Sequence, residues 1–153
     1  MKSKDNKRPQ FTIGVFAIIF DEKGRVLLCH RRDRDLWNLP GGGLEDREDV
    51  VVGVKRETKE ETCLEVEVVR LAGVYCKADR NEIVFAFICK ITGGQMTLTD
   101  EADRIEYFEV DELPQNTVPN QVERIKDAVL SPSDTVFKVQ TGIPIKDLIA
   151  EKR

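Results

Sequence analysis

Residues 41–64 read GGGLEDREDVVVGVKRETKEETCL, a glycine run followed by a stretch with helical spacing and several acidic residues. With about 3.6 residues per turn, Glu57, Glu60 and Glu61 fall within an arc of about 100° on one helix face. Each like-charge pair three or four residues apart costs about 0.2–0.5 kcal/mol, so this face is locally unfavourable. A divalent cation would offset the repulsion. A solvated charged surface is the alternative, and it is the commoner outcome of a charge run.

The spacing of these residues resembles the Nudix box, whose pattern is G-x5-E-x7-R-E-U-x-E-E-x-G-U with U an apolar residue. Every charged position of the pattern is filled. The matching residues are Gly42, Glu48, Arg56, Glu57, Glu60, Glu61 and Leu64. Two positions depart, because Thr58 stands where an aliphatic residue is usual and Cys63 where the last glycine is usual. The match favours a cation site over a solvated surface, and similar segments outside the box extend the resemblance to about residues 11–130.

The resemblance implies an α/β fold, specifically an α/β/α sandwich with a mixed β-sheet between helices. It also implies a hydrolase that cleaves the diphosphate linkage of a nucleoside diphosphate joined to another group. Glu57, Glu60 and Glu61 would hold the metal ion, with the carbonyl of Gly41 as a weaker candidate ligand. Hard carboxylate oxygens suit Mg²⁺ or Mn²⁺ better than zinc.

The remaining catalytic roles stay open at the level of sequence. Arg56 would fix the position of a box glutamate, or it would form an ordinary salt bridge on the helix surface. The resemblance offers three candidates for the general base: Glu57 in the box, Glu101 before a late strand, and Glu82. Each of the two loop acids has plain surface charge as its alternative.

Substrate-binding groups are the least determined part of the prediction. Arg31 and Arg32 are candidate phosphate contacts, because arginine binds phosphate in a bidentate manner; solvated side chains at a strand end are the alternative. Trp37 could stack on a base, although packing beneath the glycine run is favoured. The proline of the family's ADP-ribose subgroup is absent from residues 77–81, and the coenzyme A signature is absent too. Nucleoside triphosphates, dinucleoside polyphosphates, nucleotide sugars and capped RNA ends remain as alternatives.

A second class of function is a non-catalytic nucleotide-binding or regulatory module on the same fold. The complete set of box acids favours the enzyme, since a binding module has no need of them. Thr58 and Cys63 are the features that favour the module.

The composition fits one soluble domain. The chain has 153 residues, of which 41% are hydrophobic and 34% charged, and its net charge is −4. Negative charge disfavours general nucleic-acid binding, and no apolar run approaches the roughly 18 residues of a membrane span. We expect a single Nudix hydrolase domain over residues 1–153, with 1–9 as a loose basic tail and 131–153 as a C-terminal extension. We also expect a small nucleotide substrate and a cytoplasmic location, and a homodimer is compatible with the sequence.

The single histidine and the cysteines suggest no second site. The cysteines form no C-x-x-C pair, which disfavours zinc. Cys29, Cys76 and Cys89 lie in apolar runs and are predicted to be reduced and buried. His30 is assigned a surface or packing role, because nothing nearby indicates an activated nucleophile.

The hydrophobic pattern predicts mixed strands and two main helices. The strands 11–20 and 25–31 are expected to pair as a hairpin, and a turn is expected at residues 93–94. Further strands are predicted at 65–77, 82–91, 104–109 and 135–139, and helices at 49–62, 120–130 and 144–152, the last being a short helix or arm. The helix at 120–130 is expected to direct Val122, Ile125 and Val129 inward. Cys63 is expected to close the first helix without a left-handed residue, since that conformation costs a non-glycine residue about 1–2 kcal/mol.

Overall fold

The computed structural model describes residues 7–142 of the chain. In chain order its helices and strands are β1 (Thr12–Ile18), β2 (Val26–Arg31), β3 (Trp37–Asn38), β4 (Gly41–Gly43), α1 (Val50–Thr62), β5 (Leu64–Lys77), β6 (Glu82–Gly94), β7 (Ala102–Phe108), α2 (Pro119–Leu130) and β8 (Val136–Val139). The predicted helices at 49–62 and 120–130 and the predicted strand at 135–139 are confirmed within a residue or so. The predicted helix at 144–152 lies outside the described residues.

The strands form two sheets. The larger has the order β4-β1-β6-β5-β8, in which β1 runs parallel to β6 and antiparallel to β4, while β5 runs antiparallel to β6 and parallel to β8. The smaller has the order β3-β2-β7, with both pairs antiparallel. Parallel and antiparallel pairs in the larger sheet confirm the prediction of a mixed sheet.

The helices cover the two faces of the larger sheet. Successive side chains of a strand point to opposite faces, and β1 shows the consequence. Val15 and Ala17 belong to the same buried cluster as Val54 of α1. Ile18 instead belongs to the buried cluster that contains Ile125 of α2. The chain therefore forms the expected α/β/α sandwich, and the apolar sequence of β1 reflects burial on both faces.

The predicted hairpin of the first two long strands is wrong. β1 lies between β4 and β6, whereas β2 lies between β3 and β7 in the other sheet. Backbone contacts join the two segments beyond the end of β1, where Leu27 N–H donates to the carbonyl of Ile19 and Phe20 bridges Val26. This arrangement gives each strand a hydrogen-bonding partner on both edges, which a simple hairpin would not provide. Residues 93–94, predicted as a turn, instead pair with the start of β5.

Both ends of α1 have defined caps. The Asp49 side chain accepts a hydrogen bond from Val52 N–H at 2.9 Å, which is the usual N-cap contact. At the other end Cys63 adopts φ 64° and ψ 11°, and its N–H donates to the carbonyl of Lys59. The expectation that Cys63 would avoid the left-handed conformation is therefore wrong. Strand β5 begins at the next residue, Leu64, so the chain must turn within a single position.

The inward face of α2 is more polar than predicted. Ile125 is fully buried as expected, but Val129 is 48% exposed. Gln121 and Arg124 are buried instead. They can be buried because both have partners: Gln121 Oε1 accepts from Leu39 N–H at 2.6 Å, and Arg124 Nε donates to Gln140 Oε1 at 3.1 Å.

The burial of the cysteines agrees with the prediction at two of three positions. Cys29 and Cys89 are buried as predicted, but Cys76 is exposed on the outward side of β5, so its predicted burial is wrong. Within residues 7–142, no helix has the length and apolar character needed to cross a membrane.

Candidate active site

The glycines of β4 and α1 allow very close packing of the backbone against acidic side chains. A Cβ atom on Gly42 would lie 2.8 Å from the carboxyl carbon of Glu57. A Cβ atom on Gly53 would lie 2.5 Å from Leu44 Cδ1 and 3.0 Å from Glu48 Oε1. Any larger residue at either position would therefore displace the side chains that now fill this space, among them the Glu57 carboxylate.

Three carboxylates meet beside this strand. Glu57, Glu60 and Glu101 each offer an oxygen, and these atoms lie within 4.8 Å of one another. Two of the three come from α1, while Glu101 comes from the segment just before β7. We call these three residues the acid cluster. The structure thus brings one of the loop acids proposed from the sequence next to the box acids.

Thr99, which the sequence analysis did not single out, holds the segment with Glu101 against the end of α1. Its hydroxyl donates to the carbonyl of Glu61 at 3.1 Å. The same oxygen accepts from Glu101 N–H and Ala102 N–H, both at 3.2 Å. Its contacts with Glu101 and Ala102 are local, but the bond that joins this segment to α1 reaches Glu61, which lies 38 residues earlier in the chain, and no local sequence pattern marks it.

Arg56 connects the acidic residues to one another. Its guanidinium makes a bidentate contact with Glu48, at 2.7 and 2.9 Å, and Nη1 donates to Glu57 and Glu60, both at 3.1 Å. Nη2 also reaches the carbonyl of Gly43 at 3.2 Å. The guanidinium lowers the pKa of the Glu48 carboxyl to about 2. Arg56 is therefore placed to fix the rotamers of the box glutamates.

Glu61 is not part of the acid cluster. Its carboxylate accepts from Gly41 N–H at 3.2 Å, and the residue is only 8% exposed. Burial raises the pKa of this carboxyl to about 9; the Gly41 N–H opposes the shift, while the charges of Glu57 and Glu101 add to it. Burial also raises the pKa of Glu57, against the opposing effect of Arg56. Burial thus disfavours the charged forms of these two carboxyls in the metal-free protein, and a bound cation would favour those charged forms again.

Both candidate phosphate-binding arginines line the same cavity as these acids. The cavity has a volume of about 420 Å³, and its walls include Arg31, Arg32, Glu61 and Glu101. Arg31 makes two hydrogen bonds to Asp33, at 2.8 and 2.9 Å. Arg32 Nε donates to the carbonyl of Thr99 at 2.7 Å. Both arginines therefore share this cavity with Glu61 and Glu101.

The other residues proposed from the sequence lie elsewhere. Glu82 forms an ion pair with Lys77 at 2.9 Å and is not part of the acid cluster. Trp37 is 4% exposed, so its predicted packing role is confirmed, but the contact shown is edge-to-face with Phe108 of β7. His30 is buried, with its ring nitrogens 2.7 Å from Asp103 and 2.8 Å from Asp35.

Comparison with known proteins places this geometry in a family. A family model described as a NUDIX domain matches residues 10–128. A "MutT-like protein" of Streptomyces ambofaciens is 35% identical over 121 residues, which is 79% of each chain. An "ADP-ribose pyrophosphatase" of Methanocaldococcus jannaschii is 36% identical over 104 residues, covering 63% of this chain and 62% of the other. The crystal structure of an ADP-ribose pyrophosphatase from Streptococcus suis 89-1591 superposes with a TM-score of 0.71 at 27% identity, covering 84% of this chain and 99% of that one.

Proposed function

The chain belongs to the Nudix hydrolase family, and from this premise we propose that it hydrolyses the diphosphate linkage of a nucleoside diphosphate derivative with the help of Mg²⁺ or Mn²⁺. The observation that supports this proposal best is the acid cluster, whose three carboxylate oxygens lie within 4.8 Å of one another. Acids this close repel each other, and a divalent cation removes the repulsion.

The donor set fits a hard divalent cation. Carboxylate oxygens are the ligands that Mg²⁺ and Mn²⁺ prefer, and neither histidine nor cysteine belongs to the acid cluster. We propose that Glu57, Glu60 and Glu101 bind the ion, with Glu61 and the carbonyl of Gly41 as further candidates. A cation bound here would neutralise diphosphate charge and lower the pKa of a bound water.

The protein's own side chains position the substrate and the acids. We propose that Arg31 and Arg32 bind phosphate oxygens, because they line the cavity that Glu61 and Glu101 also line. Arg56 keeps Glu57 and Glu60 in place through the hydrogen bonds at 3.1 Å described above. Loss of this support would loosen the site without removing any acid.

For the proton acceptor, we propose Glu57 or Glu101 in preference to Glu82. Glu57 and Glu101 both lie in the acid cluster, whereas Glu82 is paired with Lys77 outside it. Turnover of Glu57→Gln and Glu101→Gln at saturating cation separates the two, because saturation compensates for weaker metal binding but not for a missing base.

The test of this function is a substrate panel with Mg²⁺ or Mn²⁺, scored for released nucleoside monophosphate. The panel contains nucleoside triphosphates, dinucleoside polyphosphates, nucleotide sugars and capped RNA ends. It also contains ADP-ribose, because two similar proteins are named ADP-ribose pyrophosphatase. We expect hydrolysis of at least one substrate, dependent on the cation, and loss of most turnover in Glu60→Gln with the fold retained. The matched control is Glu112→Gln, which removes an exposed charge outside the cluster. Absence of hydrolysis across the panel would favour a binding module on the same fold.

The single-domain organisation, the cytoplasmic location and the homodimer remain predictions from the sequence. Size-exclusion chromatography with light scattering measures the oligomeric state directly.

A further inference from the structure

Strand β7 contains one residue more than its partner β2 at the end that leads into the acid cluster. His30 of β2 pairs with Arg104 of β7. The next residue of β2, Arg31, pairs with Ala102 rather than with Asp103. Asp103 is therefore an extra residue on β7, which is the arrangement of a β-bulge. Bulges are frequent next to active sites, where they redirect nearby side chains.

The bulge sets the position of Glu101 along β2. Arg32 N–H donates to the carbonyl of Glu101 at 3.3 Å. If the register of the rest of β7 continued without the extra residue, Glu101 would lie beside Asp33 instead. That shift would move its side chain about 3.3 Å along the strand and turn it to the other face of the sheet. Glu101 would then leave Glu57 and Glu60, whose oxygens now lie within 4.8 Å of its own.

A buried histidine contacts the extra residue. His30 is 8% exposed, and its Nδ1 lies 2.7 Å from Asp103 Oδ1. Trp37, which pairs with His30 from β3, packs edge-to-face against the imidazole with the ring centres 5.2 Å apart. The imidazole therefore has a fixed place beside the bulge.

The second nitrogen of the imidazole also has a carboxylate partner. Nε2 lies 2.8 Å from Asp35 Oδ1, and Asn116 Nδ2 donates to the same oxygen at 3.0 Å. A neutral imidazole carries one N–H, so His30 donates to both carboxylates only when each nitrogen is protonated. The Asp35 side chain is 82% exposed and the Asp103 side chain 39%. The hydrogen bond with Asp103 is therefore the better shielded of the two.

We propose that His30 is a positioning residue for Glu101, because its hydrogen bond to Asp103 stabilises the bulge and thereby keeps the Glu101 carboxylate in the acid cluster. This inference rests on the proposed function, since it concerns the same cation site.

Thr99 is the alternative support for Glu101. Its hydroxyl accepts from Glu101 N–H and donates to the carbonyl of Glu61. If these contacts were sufficient, Glu101 would stay in place without His30. The experiment must therefore separate the hydrogen bond of His30 from the packing of its ring and from the contacts of Thr99.

The experiment measures thermal unfolding of the full-length protein across a Mg²⁺ titration, with EDTA as the zero point. His30→Asn and His30→Gln form a matched pair, because both remove the ring. The amide nitrogen of asparagine is bonded to Cγ, as Nδ1 of histidine is, so it can still donate to Asp103. The amide nitrogen of glutamine lies two bonds from Cγ, as Nε2 does, so it can donate to Asp35 but not to Asp103.

We expect His30→Gln to raise the Mg²⁺ concentration at the midpoint at least about tenfold, the lower end of the effect of groups that support a metal ligand. His30→Asn should restore most of that loss. In the Glu101→Gln background, His30→Gln should have no further effect on the midpoint, because a residue that acts through Glu101 then has nothing left to position. The control is Tyr75→Phe, which removes another buried hydrogen bond, to Asp127 at 2.9 Å, and should leave the midpoint unchanged.

An unchanged midpoint in His30→Gln would overturn the inference. Equal losses in His30→Asn and His30→Gln, or a full further loss in the Glu101→Gln background, would overturn it too. If the His30 variants fail to fold, Asp103→Ala decides, because it deletes the same hydrogen bond from the other side and should raise the midpoint to a similar extent. An unchanged midpoint in Asp103→Ala would contradict the role of His30.

The Mg²⁺ titration needs no substrate, so it separates this inference from the proposed hydrolysis. A midpoint that depends on His30, with no turnover on the substrate panel, would contradict the proposed function alone. Cation-dependent turnover with a midpoint independent of His30 would contradict this inference alone. Absence of any Mg²⁺ response in the unmodified protein would overturn this inference together with the cation site.

Discussion

Replacing Glu101 by glutamine removes one of the three charges of the acid cluster and leaves α1 untouched. Two unit charges 4.8 Å apart in water repel each other by about 0.9 kcal/mol. Glu101 faces two such charges, and salt screens both pairs, so we expect the metal-free variant to be more stable by about 1 kcal/mol. For a domain of this size that corresponds to a rise in Tm of about 2–4 °C.

Adding the cation should stabilise the unmodified protein more than the Glu101→Gln variant. At 100 times its Kd, a cation stabilises the unmodified protein by about 2.7 kcal/mol; a site weakened tenfold gains about 1.4 kcal/mol at the same concentration. The increase in Tm on adding Mg²⁺ should therefore fall from about 5–11 °C to about 3–6 °C. Thermal unfolding across a Mg²⁺ titration, with EDTA as the zero point, measures both effects.

Glu112→Gln provides the control, because it removes an exposed charge outside the cluster and should keep the full response to Mg²⁺. If Glu101→Gln kept both the full increase in Tm and the same midpoint of the Mg²⁺ titration, Glu101 would not contribute to cation binding. The assignment of the acid cluster as the metal site would then be wrong.

Three further predictions concern the surroundings of the cluster. Cys63→Gly should be more stable than Cys63→Ala by about 0.5–1 kcal/mol in urea unfolding, because glycine relieves the left-handed conformation at φ 64° while alanine keeps the Cβ; equal midpoints would show that the conformation is not strained. Arg56→Lys should lower turnover at least about tenfold with little change in Tm, because lysine cannot make the bidentate contact with Glu48, and unchanged turnover would exclude the support role. In EDTA, the stability measured by urea unfolding should fall as the pH rises from about 5 to 9, because the pKa of Glu61 is raised to about 9 in the folded state while the unfolded chain releases this proton near pH 4.3. Glu61→Gln should flatten this dependence of the urea midpoint on pH, and a midpoint that rises over this range would contradict the raised pKa.

The local parts of the fold were predictable from the sequence. Helix α1 follows from helical spacing and from Asp49 as its cap, both of which depend on neighbouring residues. Individual strands follow from their apolar runs. The pairing of the strands was not predictable in the same way, because β1 finds its parallel partner β6 about seventy residues later in the chain. A hairpin with the next strand is the local solution, and the two-sided burial of β1 overrides it.

The same division holds for the site. That Glu57 and Glu60 share one face of a helix follows from their spacing alone, because 3.6 residues per turn fixes that relation wherever the helix lies. Folding brings Glu101 beside them, turns Glu61 towards Gly41, and leaves the Asn38 acceptor without a partner among residues 7–142. These three outcomes depend on contacts between segments distant in sequence and on which atoms those contacts exclude from water, and no local pattern encodes either.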